Sequence, residues 1–167
     1  MNLKQIPKGE VVLLDANIVL LVLRGASVQC EQLLRRCVER EVSCIIPSVQ
    51  FGEVMHRLMI AEARDNGWIS GPNLARQLSD KPDRIRSLYR YEQAMRSLLG
   101  MGVALEPVGR EDYLTAISLQ RQNGFTTNDA LMIACAERLR VQAIASADRN
   151  LASARGIILY SPDDAEE

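Results

Sequence analysis

The segment VVLLDAN at residues 11–17 ends a run of four apolar residues with Asp15. An apolar run of this length, bounded by polar residues, is typical of a strand that is buried on both faces of a parallel sheet. Sheets of this kind form their ligand sites outside the carboxyl ends of the strands. An unpaired ionised carboxylate at such a position costs several kcal/mol. Asp15 therefore indicates a functional site at the end of a central strand.

Strand-like and helix-like segments alternate along the rest of the chain. Four further apolar runs of strand length occupy residues 42–46, 103–105, 141–145 and 157–160. Segments with the properties of helices lie between them, at residues 27–40, 48–64, 110–122 and 128–140. Strands that alternate with helices form parallel sheets with right-handed crossovers. We therefore predict an α/β fold with three layers, α/β/α, around a central, mostly parallel sheet.

The segment of residues 66–100 is longer than a single crossover helix requires. Its length and its two interruptions predict an inserted helical hairpin. Glycine and proline interrupt the chain at residues 67–72, and DKPD interrupts it again at residues 80–83. The second arm is predicted as one helix over residues 83–99. On that helix Arg86 and Arg90 form an exposed basic pair, which we consider as an RNA contact. The alternative is a solvated face without a partner.

Length and charge narrow the class of protein. A chain of 167 residues is expected to fold as one domain, residues 1–167, with a core that needs no disulfide or structural metal. The net charge of −1 excludes a global basic field, so any binding of nucleic acid must be local. The four cysteines lack the spacing of a zinc site and are expected to be core residues.

The N-terminal segment is expected to contain neither a signal peptide nor a membrane span. MNLKQIPKGE lacks a continuous apolar core, and Asp15 and Asn17 interrupt the apolar stretch that follows. That stretch is also shorter than the ~20 residues that cross a bilayer. We therefore expect a cytoplasmic protein with no membrane partner.

Three further carboxylates occupy positions like that of Asp15. Glu53 lies early in the helix after the second strand, Asp129 in the first turn of a later helix, and Asp148 just after a strand. Taken singly, each has a simpler role as a cap, turn or solvated residue. All four can face one crevice, where two carboxylates ~4 Å apart repel by roughly 4 kcal/mol at an effective dielectric of ~20. Together they indicate a site for Mg²⁺ or Mn²⁺.

A divalent ion held by carboxylates suits phosphodiester hydrolysis, because it activates water, shields the phosphate and stabilises the leaving oxygen. Our hypothesis is that Asp15, Asp129 and Asp148 hold the ion, and that Glu53 binds a second ion or orients the attacking water. His56 forms only a single E-x-x-H with Glu53, whereas a di-iron bundle needs two such pairs. We therefore leave His56 outside the site.

These segments resemble the PIN-domain ribonucleases, and among them the VapC-type toxins of bacterial toxin–antitoxin pairs. The likeness runs almost end to end, through LLDAN with Asp15 and Asn17, SVQFGEV with Glu53, TTNDALMIACAERL with Asp129, and IASADRNL with Ser146 and Asp148. It implies a PIN-like fold and a ribonuclease whose four acids bind Mg²⁺ or Mn²⁺, with Asn17 and Ser146 as polar support. It also implies a homodimer and a small antitoxin protein that blocks the site.

Other classes of protein match the residues less well. A haloacid-dehalogenase-like phosphatase has a second aspartate two residues after the first, where this chain has Asn17. A receiver domain has a late-strand lysine, whereas the lysines here are Lys4, Lys8 and Lys81. The remaining alternative is a PIN-like module that binds RNA or protein without cleaving it. Such a module would normally have lost some of the acids, and this chain has all four.

Overall fold

A five-stranded parallel sheet forms the centre of the computed structural model, which describes residues 1–165. Its strands are β1 (Val11–Leu14), β2 (Ser43–Pro47), β3 (Ala104–Glu106), β4 (Ala143–Ala145) and β5 (Ile158–Tyr160). Their order across the sheet is β3-β2-β1-β4-β5, and every neighbouring pair is parallel. The predicted α/β fold is confirmed, and each strand lies within about two residues of its predicted ends.

Helices cover both faces of this sheet. They are α1 (Ala16–Leu23), α2 (Val28–Val38), α3 (Ser48–Asp65), α4 (Leu74–Ser79), α5 (Pro82–Ser87), α6 (Arg90–Gly100), α7 (Arg110–Asn123) and α8 (Thr127–Leu139). Helices α1, α2 and α6 pack with Val12 and Leu14 on one face, and α7 and α8 pack with Leu13 on the other. The three layers are therefore as predicted. No helix within residues 1–165 is both long enough and apolar enough to cross a membrane.

Strand β1 is the centre of the core. Val12, Leu13 and Leu14 are fully buried, because successive side chains of the strand point to opposite faces and both faces carry helices. Burying side chains of this size stabilises the fold by roughly 1.5–3 kcal/mol each. The next residue, Asp15, donates its backbone N–H to the Ala145 carbonyl at 3.0 Å. This bond fixes Asp15 at the carboxyl edge of the sheet, beside the end of β4.

The segment between α3 and β3 differs from the prediction. Instead of a hairpin whose second arm is one helix over residues 83–99, the structure has three short helices, and the chain is extended at Leu88. Leu88 is buried with Ala63, Ile69 and Leu78 in a small core of their own, which we call the insertion core. This tertiary packing overrides the local helical periodicity on which the prediction of a continuous helix rested.

The break at Leu88 also separates Arg86 from Arg90, so the predicted basic pair on one helix face is wrong. Arg86 lies in α5 and pairs with Asp83 at 2.6 Å, whereas Arg90 begins α6 and pairs with Asp65 at 3.2 Å. Each guanidinium group thus has a carboxylate partner of its own. A contact of these two arginines with RNA stays a prediction, but the shared helix face on which it was based is absent.

Glu62 holds the start of α6 in place. Its buried carboxylate accepts hydrogen bonds from the backbone N–H groups of Tyr89, Arg90 and Tyr91, at 3.0, 3.1 and 2.9 Å. Burial on its own raises the pKa of Glu62, but these three bonds and the Arg90 charge outweigh burial and hold the pKa below its ordinary value. The sharp turn after Leu88 therefore depends on an ionised carboxylate from α3.

Both ends of the described chain are attached to the sheet and its helices. Asn2 forms a parallel bridge with Ser161 just beyond β5, and the N-terminal ammonium group of Met1 donates to the Leu159 carbonyl at 2.8 Å. Near the other end, Asp164 accepts a hydrogen bond from the Ser27 hydroxyl at 2.6 Å, at the start of α2. The N-terminal residues thus cover the outer edge of β5, which would otherwise expose unpaired backbone groups.

Replacing Glu62 with Gln should destabilise the protein by about 1–3 kcal/mol at neutral pH, because the amide NH₂ group would face backbone N–H groups that need an acceptor. The pKa of Glu62 is lowered in the folded state. Its contribution is therefore present above the ordinary glutamate pKa of about 4.3 and is lost as the pH falls through the folded-state value. Urea unfolding of both proteins at neutral and at acidic pH measures this difference.

The matched control is Glu92→Gln, since Glu92 is exposed and forms only an ion pair with Arg96 on the surface of α6. A surface pair of this kind contributes less than about 1 kcal/mol. Equal losses of stability in the two variants at neutral pH would show that the Glu62 carboxylate does not hold the start of α6.

Candidate functional site

Asp15 lies at the carboxyl edge of β1, where the strand passes directly into α1. Its Oδ2 atom accepts hydrogen bonds from Asn17 Nδ2, at 2.7 Å, and from the Ser146 hydroxyl. Asn17 also donates to Ser146 Oγ at 3.2 Å and accepts from the Ala147 backbone N–H at 3.0 Å. Asn17 and Ser146 therefore orient the Asp15 carboxylate and join the start of α1 to the chain that leaves β4.

Glu53 and Asp129 approach Asp15 from α3 and α8. Burial raises the pKa of Asp15 above its ordinary value, the hydrogen bonds from Ser146 and the Ala16 backbone lower it, and the charges of Glu53 and Asp129 raise it again. The net shift is upward. The Gln50 side chain joins the starts of α1 and α8 to α3, so Asp15, Glu53 and Asp129 lie in neighbouring segments at the carboxyl edge of the sheet.

Glu53 and Asp129 each have neighbours that hold them in this crevice. Glu53 Oε1 pairs with Arg57 at 2.7 Å, one turn further along α3, and Glu53 Oε2 accepts from Asn128 Nδ2 at 2.6 Å. Asp129 Oδ2 accepts a hydrogen bond from the Thr126 hydroxyl at 2.7 Å. Because Asp129 lies in the first turn of α8, the helix dipole also favours its negative charge.

Asp148 joins the site through its backbone rather than through its carboxylate. Its backbone N–H donates to Ser146 Oγ at 2.9 Å, and the same hydroxyl group binds Asp15. The Asp148 carboxylate instead accepts a hydrogen bond from the Asn150 N–H at 2.8 Å and caps the short 3-10 helix Arg149–Ser153. Asp148 thus lies beside the crevice, with its carboxylate engaged in its own turn.

Gln50 and Asn128 are site residues that the sequence analysis does not single out. The Gln50 side chain is 2% exposed, accepts from the Ala16 backbone N–H at 3.2 Å, and donates to the Asn128 carbonyl at 3.5 Å. It therefore joins the starts of α1 and α8 to the first turn of α3. The only signal in the sequence is that Gln50 lies three residues before Glu53 in a predicted helix, so that both side chains point to the same side.

The chemistry of these donors suits a divalent cation, although the side chains do not form a closed cage. Over residues 1–165, no group of three or more His, Cys, Asp or Glu side chains is arranged to hold a metal ion. Glu53 is engaged by Arg57 and Asn128, and the Asp148 carboxylate accepts from the Asn150 N–H in its own turn. A cation would stabilise the Asp15 carboxylate, because that group is partly desolvated and the charges of two other acids act on it. Carboxylate oxygens are the ligands that Mg²⁺ and Mn²⁺ prefer.

Comparison with known families and structures gives a consistent picture. The family model described as the PIN domain matches residues 12–157. A toxin–antitoxin complex from Klebsiella pneumoniae has a similar structure, with a TM-score of 0.57 and 15% identity over 88% of this chain and 95% of that one. VapBC2 from Rickettsia felis, bound to a DNA fragment from its promoter, is also similar. Its TM-score is 0.59, with 11% identity over 92% of this chain and 99% of that one.

A third similar structure is VapC20 from Mycobacterium tuberculosis, a toxin described as cleaving the sarcin–ricin loop. It has a TM-score of 0.58 and 15% identity over 86% of this chain and 95% of that chain. A comparison with curated proteins by sequence gives no match. Likenesses at these identities show a common fold.

The family model spans most of the chain, from the second residue of β1 to the residue before β5. It includes all four acids that the sequence analysis singles out, although their role as metal ligands stays a prediction. The resemblance carried by four short segments around those acids is confirmed at the level of the family. The chain belongs to the PIN domain family.

Proposed function

We propose that this protein is a metal-dependent endoribonuclease and the toxin of a toxin–antitoxin pair. The observation that carries the proposal is the partly buried Asp15 carboxylate, whose pKa is raised by desolvation and by the charges of Glu53 and Asp129. Among the ion pairs of the described residues, Asp15 has no basic partner. Such a cluster is stabilised by a cation or by protonation. Membership of the PIN family and the fold shared with VapC structures support this assignment.

Each acid has a proposed role. Asp15, Asp129 and Asp148 would hold Mg²⁺ or Mn²⁺, directly or through water, and Glu53 would bind a second ion or orient the attacking water. The bound ion supplies an activated water and shields the charge of the phosphate. Asn17 and Ser146 keep the Asp15 carboxylate in one orientation. Gln50 is a positioning residue, because it fixes the starts of α1 and α8 relative to α3.

We also propose RNA as the substrate and a small antitoxin as the partner. The structures from Klebsiella pneumoniae and Rickettsia felis are toxin–antitoxin assemblies, and VapC20 is described as cleaving an RNA loop. The homodimer that the family resemblance implies belongs to the same proposal. The proposal also includes a single PIN-like domain over residues 1–167. It includes a cytoplasmic location too, because the protein would encounter RNA and an antitoxin there.

One observation favours the alternative, a PIN-like module that binds RNA or protein without cleaving it. Arg57 neutralises Glu53, so one of the four acids is engaged by a cation of the protein itself. An exposed ion pair of this kind contributes only about 0.2–1 kcal/mol, so a divalent ion can displace it. The experiments below separate the two functions.

RNA cleavage should require added Mg²⁺ or Mn²⁺, stop with a chelator, and fall by roughly 100-fold or more in Asp129→Asn. Even groups outside the ligand shell of a metal site cost 10- to 100-fold when they are lost. Cleavage of a labelled RNA, followed on a gel, measures the rates. Asp80→Asn is the control, because Asp80 is an exposed acid after α4. Chelator-resistant cleavage together with full activity of Asp129→Asn would overturn the metal-dependent mechanism.

Asp15→Asn should raise the stability of the metal-free protein, and by more at alkaline than at acidic pH. The pKa of Asp15 is raised in the folded state. Its favourable contribution is therefore present below the ordinary aspartate pKa of about 3.9 and is lost as the pH rises through the folded-state value. Thermal unfolding in a chelator, at several pH values, measures the difference between the two proteins.

The same measurement with Mg²⁺ tests ligation by Asp15. An ion that binds only the folded state raises the melting temperature of the wild-type protein, and it should raise that of Asp15→Asn less. Equal stabilisation of both proteins by Mg²⁺ would mean that Asp15 is not a ligand.

Induced expression of the wild-type protein should arrest the growth of a bacterial host, whereas Asp129→Asn should not. The reason is that a ribonuclease without its antitoxin cleaves the RNA of the host. Culture density measures growth, and immunoblotting confirms equal amounts of the two proteins. If the wild-type protein cleaves RNA in vitro but the host grows normally, the assignment as a nuclease stands and the assignment as a toxin is wrong.

A further inference from the structure

A basic groove runs along α3 away from the acid cluster. Arg24, at the end of α1, and Arg57 and Arg64 of α3 line it together with His56. Ile60 and Leu74 are among the apolar residues of its floor and wall, and the groove encloses about 310 Å³. Every charged residue among those that line this groove is an arginine. Its chemistry is thus opposite to that of the adjoining crevice.

Two of these arginines carry charge that no carboxylate of the described residues neutralises. Arg24 and Arg64 take part in none of the ion pairs within residues 1–165. Both are exposed. In contrast, Arg86 and Arg90 of the inserted helices each have an acidic partner. Like charges gathered around one groove repel each other, and an anionic ligand relieves that repulsion.

Arg57 connects the groove to the acid cluster. Its guanidinium group lies 2.7 Å from Glu53 Oε1, so one residue that lines the groove also contacts an acid of the cluster. Arg64 follows Glu53 by eleven positions along the same helix, which corresponds to about 16 Å at a rise of ~1.5 Å per residue. A path of that length accommodates several successive phosphates of one strand.

We propose that this groove binds the backbone phosphates of single-stranded RNA next to the bond that is cleaved, with Arg24, Arg57 and Arg64 as the phosphate-binding residues. This inference rests on the proposed function and extends it to the path of the substrate. Arginine presents a planar fork of donors that matches phosphate. His56 supplies a ring on which a base can stack, and Ile60 and Leu74 supply apolar contact.

Electrostatics favours RNA over an acidic segment of a partner protein as the occupant. The acids of the crevice repel the phosphates on either side of the scissile bond, so the substrate needs positive charge close by. Arg57 lies against Glu53, and the unpaired Arg24 and Arg64 supply positive charge along the rest of the groove. An acidic peptide has no scissile phosphate, so nothing requires it to lie next to the acids of the crevice.

The test compares two double variants that remove the same charge. Arg24→Gln with Arg64→Gln changes the groove, whereas Arg35→Gln with Arg155→Gln removes two exposed arginines that lie outside it and form no ion pair among the described residues. Binding of a fluorescent single-stranded oligouridylate of about 12 nucleotides is measured by anisotropy in a chelator. Thermal unfolding confirms that all proteins are folded.

The groove variant should bind the oligonucleotide on the order of tenfold more weakly than the wild type at 0.1 M salt. Its slope of log affinity against log salt should be flatter by about 1.4 units, as expected for two lost phosphate contacts on a single strand. The control variant should behave as the wild type. With Mg²⁺, the groove variant should show a raised KM for long RNA, whereas the control variant should not.

Each other outcome overturns the inference in a distinguishable way. If the wild type cleaves RNA and the groove variant matches the control in slope and KM, the nuclease stands and the groove is not its substrate path. If the wild type neither binds nor cleaves RNA, the proposed function fails and this inference fails with it. If the groove variant loses binding of an oligoglutamate peptide but keeps RNA binding, the groove belongs to an acidic protein partner.

Discussion

The partial burial of the Asp15 carboxylate is the constraint on which the carboxyl edge of the sheet depends. Strand β1 is covered on both faces, and the chain passes from its last apolar residue directly into this acid. The surroundings must therefore supply hydrogen bonds, and Asn17, Ser146 and the start of α1 do so. These bonds join the ends of β1 and β4, while the Gln50 side chain holds the neighbouring helix starts at a fixed spacing.

Glu62 and Asp15 show how surroundings separate a structural acid from one proposed to be functional. Glu62 receives three backbone hydrogen bonds and has Arg90 beside it, so its pKa is lowered and its charge stabilises the fold. Asp15 is partly buried and hydrogen-bonded, but its charged neighbours are acids, and its pKa is raised. A raised pKa that persists beside like charges is typical of a site whose stability is sacrificed for ligand binding or chemistry. Position in the fold alone does not distinguish the two residues.

The sequence was sufficient to predict the sheet and its layers, because apolar periodicity is a local feature, whereas the role of the four acids stays a prediction and the Asp148 carboxylate is engaged in its own turn. The sequence did not assign α1, since ANIVLLVL is apolar on every side and lacks the amphipathic spacing of a surface helix. The break at Leu88 was missed because it depends on Glu62, which is distant in sequence. Gln50 was missed for the same reason, since its partners lie in two other segments.

The helices between α3 and β3 pack around the insertion core, which is separate from the main core. Its four buried residues, Ala63, Ile69, Leu78 and Leu88, do not include any side chain of the sheet, and Tyr91 packs against both this core and the main one. Small cooperative units of this kind open at a lower free energy than central strands do. Leu74 forms part of the groove along α3, so local unfolding of the insertion core would change the width of the groove while β1 stays folded. The ligands that the groove accepts would then depend on this local folding equilibrium as well as on charge.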